Sequence, residues 1–169
     1  MADPEQDMIF DYLPESFMDK IRNLQDFSRV LVLDKWTGNA DGRQAVFTKS
    51  AKARKYSAVF IDQGYCFNCS EWNFPDSPLR GVYARNSVYQ QVTGWESFEP
   101  VLSRAERIEE ADLWQLAEGM PEEWWSRHGP IEDLARLTQS LFQRRSSIRD
   151  LITAFRNSTR NPFPNWAGS

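Results

Sequence analysis

The stretch that decides the fold is WTGNADGRQ, residues 36–44, a polar segment that follows an apolar run. Its residues Gly38, Asn39, Asp41 and Gly42 either allow unusual backbone angles or bond to nearby backbone groups, so the segment is predicted to be a loop. The elements on either side of this loop set the architecture of the rest of the chain.

Two β-like runs follow the loop, at residues 45–48 and 56–61. The basic turn 49–55 separates them, and this arrangement predicts a β-hairpin. Asp62 stands at the end of the second run, so the hairpin delivers a carboxylate at a strand end.

The segment that enters the loop, residues 27–36, is apolar on nearly every side. This pattern fits a buried helix or a buried strand, and periodicity does not separate the two. Asp26 is suited to cap a helix here. Upstream, apolar residues at helical spacing predict a short amphipathic helix at 15–24.

The second half of the chain is predicted to be helical. Residues 66–83 are rich in aromatic residues, Asn and Pro without a regular period, and this favours an ordered loop. The predicted helices after it are 95–108, 111–118, 130–144 and 147–157.

These elements predict one α+β domain, predominantly helical, in which a β-hairpin carries the functional residues. The chain has 169 residues, enough for one full core and too few for two ordinary domains. We expect an N-terminal lead at 1–14, a single domain at 15–160 and an irregular tail at 161–169.

Charge and hydropathy narrow the classes of partner. The 24 acidic and 20 basic residues give a net charge of -4, which argues against binding to nucleic acid or an anionic membrane. The acidic N-terminus has no signal-peptide pattern, and no apolar run approaches the ~18 residues that a membrane span needs. We therefore expect a cytoplasmic protein.

The loop and the hairpin together suit phosphoryl transfer. This chemistry needs one carboxylate near the acceptor hydroxyl, and oxygen ligands that hold Mg²⁺ against the phosphates of ATP. Asp41 in the loop and Asp62 at the strand end supply two such carboxylates.

The segments WTGNADGRQ (36–44) and VFIDQG (59–64) resemble the catalytic loop and the metal-binding segment of HipA-like kinases, which are relatives of the phosphatidylinositol kinases. The turn 121–124 and the helix around Arg144 also look like the helical C-terminal lobe of that family. The resemblance implies a protein-kinase-like fold and a lobe that uses ATP and Mg²⁺.

The resemblance also implies roles for individual residues. Asp41 takes the place of the catalytic Asp, and Asp62 takes the place of the metal-binding Asp. Position 46 is Val where the family has a metal-binding Asn, so Gln44 or Asn39 would supply the second metal ligand. Asn39, Arg43 and Gln44 form the expected nucleotide-binding set.

The family carries a further lobe with a Gly-rich loop and a Lys that grip the phosphates, and neither feature is found before the catalytic segment. We therefore expect the partner to be a protein that bears this N-terminal lobe, or a second copy in a homo-oligomer. The alternative is a non-catalytic interaction domain that binds a protein through exposed aromatic residues, with Trp72, Trp95, Trp124 and Trp125 as candidates.

Several residues also have structural interpretations. Asp41 and Asp62 are both suited to turns, and Asp34 is expected to be a structural partner of Arg43 or of a loop amide. Cys66 and Cys69 form a C-x-x-C without a second Cys or His pair, and we expect two half-buried thiols. His128 is expected at a helix end.

Overall fold

The computed structural model describes residues 8–127 and 129–167, and in them the protein is a mixed α+β fold. Three strands form one antiparallel sheet in the order β1-β2-β3. The strands are β1 (Met8–Phe10), β2 (Gln44–Lys49) and β3 (Ser57–Ile61). The hairpin predicted from the sequence is confirmed, with Val46 opposite Val59 in its register.

In the part of the chain that the structure describes, one α-helix precedes the hairpin and five follow it. The α-helices are α1 (Asp26–Thr37), α2 (Val101–Glu106), α3 (Glu110–Glu118), α4 (Glu122–Trp125), α5 (Ile131–Arg144) and α6 (Ile148–Arg156). Short 3₁₀ segments lie at Glu15–Lys20, Cys66–Glu71, Asn86–Tyr89, Trp95–Phe98 and Arg145–Ser147. Among the described residues, no helix is long and apolar enough to cross a lipid bilayer.

Helix α1 is the centre of the core and resolves the helix-or-strand alternative in favour of a helix. Its residues Phe27, Leu31 and Val32 have no exposed surface. It contacts α2 and α6 as well as the 3₁₀ segment Trp95–Phe98. Because α1 is covered on several sides, it needs no polar stripe, and this is why its sequence showed no clear helical period.

Two predicted helices differ from the structure. The predicted helix 95–108 is divided by an extended residue, Glu99, which precedes Pro100, and a helix does not continue through such a pair. The predicted helix 15–24 is a 3₁₀ segment that ends before Ile21, and Ile21 instead bridges to Tyr56 beside β3.

The N-terminal lead predicted at 1–14 contains strand β1. Its three residues pair with the end of β2, and Phe10 lies opposite Phe47. A strand of three residues is too short for an alternating pattern to be recognised, since it shows little more than one period. Residues 1–7 of the predicted lead lie outside the described residues.

A buried lysine of α1 anchors the loop that contains residues 78–80. Lys35 is 3% exposed, and its Nζ donates hydrogen bonds to the carbonyl oxygens of Pro78 at 2.8 Å and Arg80 at 2.7 Å. Burial lowers the pKa of Lys35 to about 8, although the charge of Asp34 opposes this shift. The loop is thus anchored by a group whose charge is costly to bury.

This burial predicts a pH-dependent stability. Between the folded pKa of about 8 and the ordinary value of 10.5, the unfolded chain binds more protons at Lys35 than the folded chain does. The contribution of this group to the free energy of unfolding therefore rises with pH across that window, by about 3 kcal/mol. The measurement is urea-induced unfolding of the native chain and of Lys35→Met across the window.

The Lys35→Met variant isolates the contribution, because other groups that titrate in the same window are common to both proteins. The difference in unfolding free energy, native minus variant, should increase as the pH rises. Parallel curves for the two proteins would contradict a lowered pKa at Lys35.

Candidate functional site

A buried ion pair lies beneath the polar loop. Arg43, which precedes β2, donates from Nε to Oδ2 of Asp34 at 2.9 Å and from Nη2 to Oδ1 of the same carboxylate. Asp34 is 1% exposed and Arg43 is 3% exposed. Two parallel bonds between guanidinium and carboxylate fix both side chains. The prediction that Asp34 is a structural partner of Arg43 is confirmed.

Asn39 completes this buried network. Its Nδ2 donates to Oδ1 of Asp34 at 2.9 Å, and its Oδ1 accepts a hydrogen bond from the backbone N–H of Asp41 at 3.2 Å. Helix α1 ends at Thr37, and Gly38, between the helix and Asn39, is left-handed with φ of 60°. Asn39 therefore links the end of α1 to the backbone of the residue predicted to be catalytic.

The pair is electrostatically coupled. Burial raises the pKa of Asp34, and the hydrogen bonds and charge of Arg43 act in the opposite direction. The pKa of Arg43 is raised above its ordinary value: burial opposes its charge, but the bonds to Asp34 outweigh burial. The guanidinium thus stays charged and keeps the carboxylate in place.

Arg43 also holds the end of β3. Its Nη1 donates to the carbonyl oxygens of Ile61 at 2.9 Å and of Asp62 at 3.4 Å. One side chain therefore joins the loop that carries Asp41, two residues before it, to the strand end that carries Asp62. This contact shows how the two predicted carboxylates belong to one structural unit.

Asp62, directly after β3, has a left-handed backbone conformation. Its φ is 59°, and its Oδ1 accepts a hydrogen bond from the N–H of Gly64 at 3.3 Å. Its Oδ2 accepts a hydrogen bond from Nε2 of Gln44 at 3.1 Å. Both Asp62 and Gln44 are exposed. The structure thus brings together the two residues predicted as metal ligands.

Asp41 is exposed at the tip of the loop. Its Oδ1 accepts a hydrogen bond from the N–H of the next residue, Gly42, at 2.7 Å. Its carbonyl oxygen accepts a hydrogen bond from the N–H of Gly81 at 3.0 Å. The hydrogen bond from Gly42 therefore orients the carboxylate of Asp41, and the hydrogen bond from Gly81 holds its backbone.

Gly81 is a site residue that sequence reasoning missed. Its φ is 69°, and a Cβ at this position would lie 2.7 Å from the Cβ of Asp34 and 3.3 Å from the Cβ of Asn39. Only a glycine lets this segment close over the buried network. No specific signal in the sequence marks this glycine, because the residues on which it packs are distant in the chain.

The predicted residues thus divide into two layers. Asp41, Gln44 and Asp62 are exposed, whereas Asn39 and Arg43 are buried and bonded to Asp34. The structure gives Asn39 and Arg43 a supporting position under the loop, and their direct contact with a nucleotide stays a prediction.

A cavity of ≈ 530 Å³ opens beside the exposed layer. Its walls include Gln44, Val46, Ile61 and Tyr12. Arg85 lies at its edge, with its guanidinium carbon 4.5 Å from the centre of the Tyr12 ring. Apolar walls with a few polar groups, at this volume, are typical of small-molecule sites.

The other predicted features have the following positions. Cys66 is half-buried and accepts a hydrogen bond from Oγ1 of Thr37 at 3.3 Å, whereas Cys69 is exposed, and both thiols are free. Burial raises the pKa of Cys66, which keeps it a thiol. His128 lies outside the described residues.

The described side chains offer only a sparse set of metal ligands. Within 8–127 and 129–167, no three His, Cys, Asp or Glu side chains group closely enough to hold a metal ion. Mg²⁺ is commonly held by one or two carboxylates together with phosphate oxygens and water. Asp62 with the amide of Gln44 fits that sparser ligand set, once the amide turns its oxygen toward the cation.

The aromatic candidates for a partner surface separate in the structure. Trp124 is 69% exposed on α4. Trp95 instead packs against the core, with its ring 5.2 Å from that of Trp166. The predicted aromatic set is therefore not one surface.

Comparison of the chain with protein-family models, curated proteins and solved structures gives no significant match.

The buried network predicts a strong coupling between two residues. Asp34→Asn should lower the free energy of unfolding by about 3 kcal/mol, because it leaves the charge of Arg43 buried without its partner. Adding Arg43→Gln to that variant should cost much less than Arg43→Gln costs alone. Urea-induced unfolding of the four proteins measures the coupling, and additive losses would show that the pair does not act as a unit.

Proposed function

We propose that this chain is the catalytic lobe of a HipA-like kinase, a cytoplasmic enzyme that transfers a phosphoryl group from ATP to a hydroxyl acceptor with Mg²⁺. The observation that carries the proposal is the exposure of Asp41, Gln44 and Asp62 above one buried network. Phosphoryl transfer depends mainly on positioning and on positive charge placed against the phosphates. The network positions the carboxylates, and a cation held by them would supply the charge.

The residues then have distinct roles. Asp41 accepts the proton of the acceptor hydroxyl and orients it, and its backbone is held by Asn39 and Gly81. Asp62 and Gln44 would hold Mg²⁺, which neutralises charge on the phosphates when it is bound. Arg43 acts as a positioning residue, since it binds the carbonyl oxygens at the end of β3.

The cavity beside Gln44 is the proposed place for the nucleotide. Val46 and Ile61 offer apolar contact to a base, and Gln44 lies at the side that faces Asp62. The protein-kinase-like form of the lobe is part of this proposal. The groups that cover the phosphates would come from a protein with an N-terminal lobe or from a second copy.

The first test is binding of Mg-ATP followed by thermal unfolding. A ligand that binds only the folded state raises the melting temperature by mass action. We expect a rise for the native chain at millimolar Mg-ATP, and its loss in Asp62→Ala. Asp19→Ala is the matched control, because Asp19 is exposed in the 3₁₀ segment Glu15–Lys20 and should keep the rise.

A rise that survives in Asp62→Ala would contradict the role of Asp62. No rise in any of the three proteins would mean that the chain alone does not recognise Mg-ATP, and would favour the second candidate function below.

A further variant separates binding from chemistry. Asp41→Asn should keep the rise in melting temperature, because Asp41 is assigned to the acceptor hydroxyl and not to the nucleotide. The same variant should lose phosphoryl transfer, by about a hundredfold or more, measured as release of ADP in the presence of the lobe that completes the site. Unchanged ADP release would remove Asp41 from the mechanism.

The second candidate function is a non-catalytic interaction domain. The observation that favours it is the exposure of apolar residues on the α3–α4 side, where Leu116 and Trp124 are each 69% exposed. A groove of ≈ 710 Å³ lies between α3 and α5 and is lined in part by Trp114 and Phe142. Exposed apolar surface of this kind is typical of protein-binding sites.

A further inference from the structure

The outer face of the sheet is apolar at its centre. Successive side chains of a strand point to opposite faces, so Val46, Val59, Ile61 and Ile9 share the face that lies away from α1. Ile9 is 66% exposed, Val59 is 44% exposed and Ile61 is 37% exposed. The opposite face carries Phe47, which has no exposed surface. We call the outer surface, residues 9, 46, 59 and 61, the sheet face.

Opposite charges stand at the two ends of the sheet face. The turn between β2 and β3 carries the exposed residues Arg54 and Lys55. The other end carries the exposed acids Asp11, Asp41 and Asp62. Asp11 belongs to this end because it lines the cavity with Gln44 and Ile61, which are paired at the far end of the hairpin.

We propose that two copies of this chain associate through their sheet faces, about a two-fold axis perpendicular to the strands. This axis reverses the strand direction of one copy relative to the other. The basic end of each copy then faces the acidic end of its partner, and the apolar centres meet. The surface is self-complementary in this one orientation, as an isologous dimer requires.

The alternative two-fold axis, parallel to the strands, places like ends together. Arg54 and Lys55 would then face the same residues of the second copy, and the acids would face acids. Like charges placed opposite each other across an interface are repulsive and suppress that arrangement. The charge pattern therefore selects the antiparallel arrangement.

The size of the sheet face predicts a weak dimer. Six residues of β2 at ~3.3 Å each and three strands ~4.8 Å apart cover about 20 by 15 Å. A standard stable interface buries about 800 Å² on each partner, and this face is smaller. We expect a dissociation constant in the high micromolar range that weakens as salt is added, because the charged ends are screened.

This association does not rest on the proposed kinase function, since it uses the apolar centre and the end charges whatever chemistry the chain performs. It also covers the cavity beside Gln44, because Val46 and Ile61 belong to both the cavity wall and the sheet face. Each copy would bring its basic turn to the acidic end of the other.

The decisive experiment is a charge exchange followed by sedimentation velocity. The variant R54E/K55E has an acidic charge at both ends, and D11K/D41K has a basic charge at both ends. Each variant alone should dimerise at least about tenfold more weakly than the native chain, because like charges meet. An equimolar mixture of the two should form a mixed dimer at least as strong as the native one.

A mixed dimer also rules out misfolding as the cause of the weakened association, because it forms only when both variants are folded. Val59→Asp should abolish association by placing a charge at the apolar centre. Leu116→Asp is the matched control, since Leu116 is 69% exposed on α3 and lies off the sheet face, and it should dimerise as the native chain does.

Two results would overturn the proposal. A native chain that remains monomeric up to millimolar concentration would show that the sheet face is not a contact between copies. A dimer that survives Val59→Asp, or charge variants that each dimerise alone as strongly as the native chain does, would show that the association uses another surface.

Discussion

The structure depends on one buried ion pair, between Asp34 at the end of α1 and Arg43 at the start of β2. Taking two charges out of water is costly, and the cost is offset only when the remaining polar groups are also bonded. Here Asn39 donates a further hydrogen bond to the carboxylate of Asp34, and the third nitrogen of the Arg43 guanidinium donates to the carbonyl oxygen of Ile61. The pair therefore fixes a helix end, a loop and a strand end relative to one another.

This constraint explains how an exposed polar loop can hold definite side-chain positions. Asp41 and Asp62 are accessible, but the backbone of each is bonded to the buried network below it. Gly81 closes the network from the other side, and Lys35 anchors the segment that carries Gly81. The buried charges cost folding energy and fix the positions of the exposed ones, which is the arrangement that a site for charged ligands requires.

Local patterns in the sequence predicted much of the fold. The amphipathic helix α5 was recognisable from the helical spacing of its apolar residues. The hairpin and the loop were recognisable because β-like runs alternate with segments of polar turn residues. Helix α1 was ambiguous because it is buried on several sides. Strand β1 was missed because three residues show no period, and they are held by pairing with β2, which lies far away in the chain.

The sequence by itself determined which residue types stand in the loop and at the strand end, and hence that carboxylates and amides dominate there. Only the tertiary structure decided which of them face solvent. Asn39 and Gln44 are both amides of the same loop, yet one is buried against Asp34 and the other meets Asp62 at the surface. Burial depends on which distant segments close over a residue, as Gly81 does here, and this is not encoded in local spacing.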